Sequence, residues 1–120
     1  MKFMPTAFGY LRSDVSGIKQ DWDETQIRSL ARRYGYDLAK IVVFKEGTDH
    51  PLRRLKHLIT QLDAEAVFVP SLAHFVDESL PEDLRQRVNI ITVTPENTHA
   101  RWPTPPRSAS DIAPSSWRTT

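Results

Sequence analysis

The sequence has no cysteine, which excludes a disulfide, a thiolate zinc site and a thiol nucleophile. That lack suits a reducing compartment, so the cytoplasm is the expected location. No apolar run approaches the roughly 20 residues that cross a bilayer, and no membrane partner is expected. Pro5 and Thr6 interrupt the apolar start Met1-Lys2-Phe3-Met4, so a secretory leader is not expected either. Neither charge dominates. The 16 basic and 15 acidic residues leave +1, which gives no global drive toward nucleic acid or an anionic surface. Glycine is scarce, at 4 residues, and the GxGxxG and Walker spacings are both absent. His50, His57, His74 and His99 fall at no metal-ligand spacing, so neither a metal nor a cofactor is expected. No internal repeat is present.

What remains is a chain of 120 residues, the length of one domain. Thr6 to Leu11 is an apolar run that reads as a first strand, and Arg12-Ser13-Asp14 follows at its carboxyl end. Val15 to Gln20 reads as a loop with Gly17 as its flexible point. A helix is expected from Asp21 or Asp23 to Tyr34. Its acidic start suits the helix dipole, and Ile27, Leu30, Ala31 and Tyr34 recur at helical spacing. Gly35 is placed to stop it. Ala39 to Phe44 is a β-branched second strand. Pro51 opens a second helix, capped by Asp49 or His50, with Leu52, Leu55, Leu58, Ile59 and Leu62 on one stripe. Ala66 to Val69 is continuously apolar, as buried parallel strands are. Ser79 and Glu82 have the spacing of a capping box before a short helix, Pro81 to Arg87. Asn89 to Thr94 is the fourth strand.

This alternation predicts a single three-layer α/β domain with a four-stranded, mainly parallel sheet over residues 1–95. From Glu96 the composition shifts to Pro, Ser, Thr and Arg, so residues 96–120 are expected to be a disordered tail. Trp102 and Trp117 are its large apolar anchors, able to dock back on the body. The stretch from Trp102 to Arg107 has the make-up of a polyproline ligand.

Over Ala7 to Pro95 the order of motifs resembles the N-terminal catalytic domain of serine recombinases, the resolvase and invertase group. Gly9-Tyr10-Leu11-Arg12 is similar to the opening of that family's Tyr-x-Arg-x-Ser motif, whose serine attacks a DNA phosphodiester. The segment Gln26 to Leu38 looks like the family's first helix. Phe44-Lys45-Glu46-Gly47, followed by Leu52 and Leu55, looks like its acidic, glycine-containing loop before the second helix. Ala66 to His74 sits where the family has a strand followed by Leu-Asp-Arg-Leu-x-Arg.

The departures from the family fall on its chemistry. Asp14 stands at the nucleophile position, and Ser13 is one place early, which in a strand turns a side chain to the opposite face. Pro70, Ser71 and His74 replace the aspartate and two arginines of the third motif. Asp49 or His50 stands near the place of the loop arginine. Arg12 is the one arginine the resemblance carries over. Phosphodiester attack builds negative charge on the phosphoryl oxygens and needs several fixed cations. Nothing in these 120 residues resembles the family's long dimer-forming helix or a helix-turn-helix.

The resemblance therefore implies a resolvase-like fold with a degenerate site at Arg12, Ser13, Asp14, Ser71 and His74. The expected function is a catalytically inactive module that binds a protein partner or a second copy of itself. Arg12 is the candidate anion binder, or else a structural arginine paired with Asp14. Ser13 and Ser16 are nucleophiles only if a base activates them, and otherwise loop hydroxyls. Two alternatives stand beside this reading. One is an enzyme acting on a small phosphorylated substrate through Arg12, Asp14 and His74. The other is a nucleic-acid binder using Arg53, Arg54 and Lys56 beside the second helix's apolar stripe, a run that is otherwise a solvated face.

Overall fold

The first strand is buried on both faces, and the other elements pack around it. The computed structural model describes residues 4–75 and 78–101. In β1 (Thr6–Arg12), Ala7, Phe8 and Leu11 are fully buried and Tyr10 nearly so. A strand with two buried faces must sit between two layers of helices. The chain continues through α1 (Ser13–Ser16), a 3₁₀ turn (Gly17–Lys19) and α2 (Gln20–Arg33). Then come β2 (Asp37–Phe44), α3 (Pro51–Leu62), β3 (Ala66–Val69), a 3₁₀ turn (Leu72–His74), α4 (Glu82–Arg85), β4 (Asn89–Thr92) and β5 (Asn97–His99).

The strands form one sheet in the order β2-β1-β3-β4-β5. The first three pairings are parallel and β4–β5 is antiparallel. The alternation of side chains along each strand sorts the core into two halves. On one face Ala7, Leu11, Phe68 and Ile91 pack with Ile27, Leu30 and Ala31 of α2. On the other, Phe8, Tyr10, Val67, Val69 and Ile90 pack with Leu55 and Ile59 of α3 and Leu84 of α4. Burying each large aliphatic side chain contributes about 1.5–3 kcal/mol. The α/β class and the mainly parallel sheet of the sequence reading are both present.

The strand count differs: the sheet has five strands, where four were expected. The fourth ends at Thr92 instead of Thr94, and the hydroxyl of Thr92 donates to Pro95 O at 2.6 Å as the chain reverses. The added strand is Asn97-Thr98-His99, inside the stretch expected to belong to the tail. It pairs Ile90 with His99, Ile91 with Thr98 and Thr92 with Asn97. It is short, polar and mostly exposed, so it has no apolar alternation to reveal it, and backbone pairing defines it. The rest of the expected tail, residues 102–120 with Trp102 and Trp117, lies outside the described residues.

Other boundaries also shift. The expected loop from Val15 to Gln20 is mostly helical and runs directly into α2. His50 holds the N-cap position of α3 in a left-handed conformation, and neither it nor Asp49 supplies a side-chain cap. The capping box of Ser79 and Glu82 does not form. Pro81 occupies the N-cap of α4 with no side-chain cap bond, and regular helix ends at Arg85. Residues 81–87 are too few for a hydrophobic stripe, so docking of Leu84 sets this element more than its end signals do.

Gly9 illustrates how close the layers are. A Cβ built there meets Ile27 Cγ2 and Ile41 Cγ1, each at 2.9 Å. Both are branch atoms of stiff β-branched side chains, and Ile27 is fully buried. Gly9→Ala is therefore expected to lose about 1–3 kcal/mol of stability through overpacking. Urea unfolding should show a lower midpoint with an unchanged slope, and an unshifted midpoint would show that α2 can recede.

Candidate functional site

In an open parallel sheet, ligands gather beyond the carboxyl ends of the strands, at the point where the strand order reverses. Here the chain goes from β1 to β2 on one side and to β3 on the other, so that point lies between β1 and β3. Arg12 ends β1, Ser13 and Asp14 open α1, and Ser71 and His74 follow β3. The topology thus brings the five residues of the sequence-predicted site to one edge.

Their contacts show what they do there. The backbone N–H of Arg12 donates to His74 Nδ1 at 2.9 Å. The hydroxyl of Tyr10 donates to His74 O at 2.7 Å. His74 is 2% exposed, so it sits as a plug over the end of β1. Accepting at Nδ1 leaves the ring proton on Nε2 of a neutral imidazole. Burial is the main force holding the His74 pKa below its ordinary 6.5, and the Arg12 charge adds to it. Asp23 and Asp14 pull the other way. Tyr10 lies edge-on to Phe44 and tilted against Phe75, with ring centroids 5.3 and 5.4 Å away. Burial pushes its phenol up to about 12, opposed by Arg12 and aided by Asp14.

The guanidinium of Arg12 is engaged by Asp14. Nε reaches Oδ1 at 3.1 Å and Nη2 reaches Oδ2 at 2.6 Å. This two-pronged pair holds the Arg12 pKa above its ordinary value. With side chains 26% and 30% exposed, it contributes about 1 kcal/mol or less to stability. Its larger consequence is that the fork a phosphate would use already holds a carboxylate.

The hydroxyls have structural tasks. Ser71 caps the 3₁₀ turn by accepting from the Ala73 N–H at 3.2 Å. Ser16 is buried and donates to Asp23 Oδ2 at 2.7 Å, tying α1 to α2. Asp23 thus belongs to this edge, although in the sequence its one visible role is a helix-start charge. Ser13 is half-buried, and no hydrogen bond joins it to His74 among the described residues. Among the described residues no hydroxyl is hydrogen-bonded to a histidine ring.

Beside the plug lies a cleft of 180 Å³, lined by Tyr10, Arg12, Phe44, Lys45, Thr48 and His74 among others. Pockets for drug-sized ligands run to roughly 300 Å³ and above. A larger open hollow of 850 Å³ lies at the opposite end of the sheet, where Asp63, Glu65, Arg87 and Arg101 mix both charges away from this edge. Among the described residues, no group of three His, Cys, Asp or Glu side chains is placed to hold a metal ion. No helix among them is long and apolar enough to cross a membrane.

The structure divides the candidate nucleic-acid residues. Arg53 and Arg54 line a groove with Phe44 beside β2, where Arg54 Nε donates to Asp49 O at 2.8 Å. Lys56 lies on the opposite flank of the buried stripe and pairs with Asp83 of α4 at 3.3 Å. The three do not form one patch.

No protein-family model, curated protein or solved structure matches this chain.

The buried His74 makes stability depend on pH. Below the unfolded value of about 6.5 the unfolded chain takes up a proton that folded His74 resists, so stability falls as the pH drops through that window. The amide oxygen of His74→Asn can take the place of Nδ1 and still accept from Arg12, so this variant is expected to lose less stability between about pH 7 and pH 5. Urea midpoints across that range check it, and parallel declines in both proteins would refute the assignment. At the alkaline end, folded Tyr10 keeps its proton to about 12 while the unfolded phenol loses it near 10, so stability falls as pH rises between them. Tyr10→Phe should remove that slope while losing about 1 kcal/mol at neutral pH, for the missing hydrogen bond. The alkaline arm of the unfolding profile reads both effects.

Proposed function

We propose that this chain is a catalytically inactive, resolvase-like α/β domain that acts by binding a protein partner or a second copy of itself. The observation that carries the reading is the Arg12–Asp14 pair. Asp14 stands where the resemblance calls for an attacking serine, and its carboxylate neutralises the one arginine carried over. A site for phosphodiester attack needs uncommitted cations around the phosphoryl oxygens. Here the nearest histidine is neutral, buried and committed to backbone groups. Loss of both nucleophile and cations removes several terms that each lower the barrier, so cleavage is not expected at any useful rate.

Binding has separate support. Val15, Ile18 and Trp22 recur at helical spacing along the run from α1 into α2 and are 38%, 102% and 60% exposed. Large apolar side chains grouped at a surface mark interaction sites.

Supercoiled plasmid incubated with the protein should remain uncut and unrelaxed, and Ser13→Ala should change nothing. Relaxation or nicking that disappears with Ser13→Ala would overturn the reading.

One observation favours the second reading, an enzyme on a small phosphorylated substrate. Lys45 and Thr48 share the 180 Å³ cleft with Arg12. Inorganic phosphate at about 10 mM, the range of weak single-anion affinities, should then shift the amide resonances of residues 45–48. Unmoved resonances would dismiss it.

A further inference from the structure

We propose that the outer edge of β2, together with the groove between it and α3, is a docking site for an extended acidic segment of a partner protein. The segment would join the sheet next to β2. The proposal rests on the reading that the chain works by binding, and it gives that binding a place and a chemistry.

Three observations converge on this edge. The first is the backbone. β2 is the outermost strand at its end of the sheet among the described residues, and at eight residues it is the longest. An outer strand presents a row of unpaired N–H and C=O groups, the template on which an extended peptide adds.

The second is shape. A groove of 410 Å³ runs beside that strand, with Phe44 and Leu58 as apolar floor and Arg53, Arg54 and His57 around it. Such a groove accepts alternate side chains of an added strand, which is how this mode of recognition gains specificity.

The third is charge. Val42 and Phe44 face α3, on the side of the strand where Arg53 and Arg54 border the groove, and the pairing with β1 shifts register between Leu38 and Ile41. Arg53 forms no ion pair with another described residue. Arg54 uses Nε on a backbone carbonyl, which leaves the tip of its guanidinium for a carboxylate. Glutamates of an added strand would lay their methylenes on Phe44 and Leu58 and present their carboxylates to Arg53 and Arg54. On the other side of the strand Val43 is 38% exposed, and it suits an apolar residue at the intervening positions. The partner segment therefore alternates acidic and apolar residues.

The same charges argue against other occupants. A second copy paired antiparallel through β2 would bring its Asp37 end to the groove at Phe44, one acidic strand residue for two arginines. A nucleic acid would need a broad cationic surface, whereas Lys56 is turned away to Asp83 and the groove floor is apolar.

The test uses the full chain and a fluorescein-labelled ten-residue peptide of alternating glutamate and valine, read by anisotropy. The controls are the lysine–valine counterpart, the glutamate–valine peptide with alternate amides N-methylated, and a 20-base-pair DNA duplex. The acidic peptide is expected to bind, and both peptide controls to bind at least about tenfold more weakly. Arg53→Glu with Arg54→Glu, both exposed positions whose circular dichroism should match wild type, is expected to weaken the acidic peptide about tenfold. No affinity for the acidic peptide would overturn the proposal, as would equal affinity of the N-methylated form or of the double variant. Binding of the duplex in place of the peptide, lost in the double variant, would overturn it in favour of nucleic acid. None of these failures produces plasmid cleavage, so they leave the non-catalytic reading intact, and cleavage alone would sink that reading.

Discussion

The constraint on which the rest depends is the burial of β1 on both faces. Ala7, Phe8, Tyr10 and Leu11 cannot all leave water unless one helical layer covers each side of the sheet. Gly9 lets α2 come down to the strand, because no Cβ stands in the way of Ile27 and Ile41. Tyr10, pointing the opposite way, anchors the other layer through Phe44, Phe75 and the carbonyl of His74. The stretch Gly9-Tyr10-Leu11-Arg12, on which the proposed resemblance to recombinases rests, is therefore also what the packing of the domain requires. Three of its four residues have a full structural explanation without any chemistry.

That dual character explains the state of the candidate site. At the crevice where the strand order reverses, the edge residues bond to one another. His74 receives hydrogen bonds at a ring nitrogen and at its carbonyl, both from β1, and Asp14 occupies the guanidinium of Arg12. Polar groups at the end of a buried strand must find partners or remain in water, and here they find one another. Such an edge adds order to the fold. The periphery offers two contrasting surfaces, the exposed apolar residues of the α1–α2 run and the basic groove beside β2.

The elements that could be read in advance share one property: their apolar residues repeat at a period that only one kind of structure can bury. The stripe from Leu52 to Leu62 and the run from Ala66 to Val69 are found where that period places them. The ones that shifted are held by other means. The three polar residues of β5 are held by the backbone ladder to β4, which any side chain allows. The capping box at Ser79 offered a local signal, but α4 is short and Leu84 docks it, so packing set its bounds. At the site, the placement of Arg12, Ser13, Asp14, Ser71 and His74 on one edge follows from strand alternation with helices. The tie between Ser16 and Asp23 does not, because two polar residues seven apart carry no pattern.

By itself, the sequence determined the α/β class, the strand and helix runs of the core, and the missing thiols and glycine loops. These follow from residue type and spacing along the chain, which the fold cannot change. The tertiary structure alone decided that His74 plugs the end of β1, that Arg12 pairs with Asp14 and not a ligand, and that Arg54 and Lys56 part to opposite flanks of α3. The first joins residues 62 apart in the chain, Arg12 and His74, the second chooses between two roles the sequence left open for Arg12, and the third rests on how α3 seats on the sheet. Distances of that kind exist only once the two hydrophobic faces of the sheet have been covered.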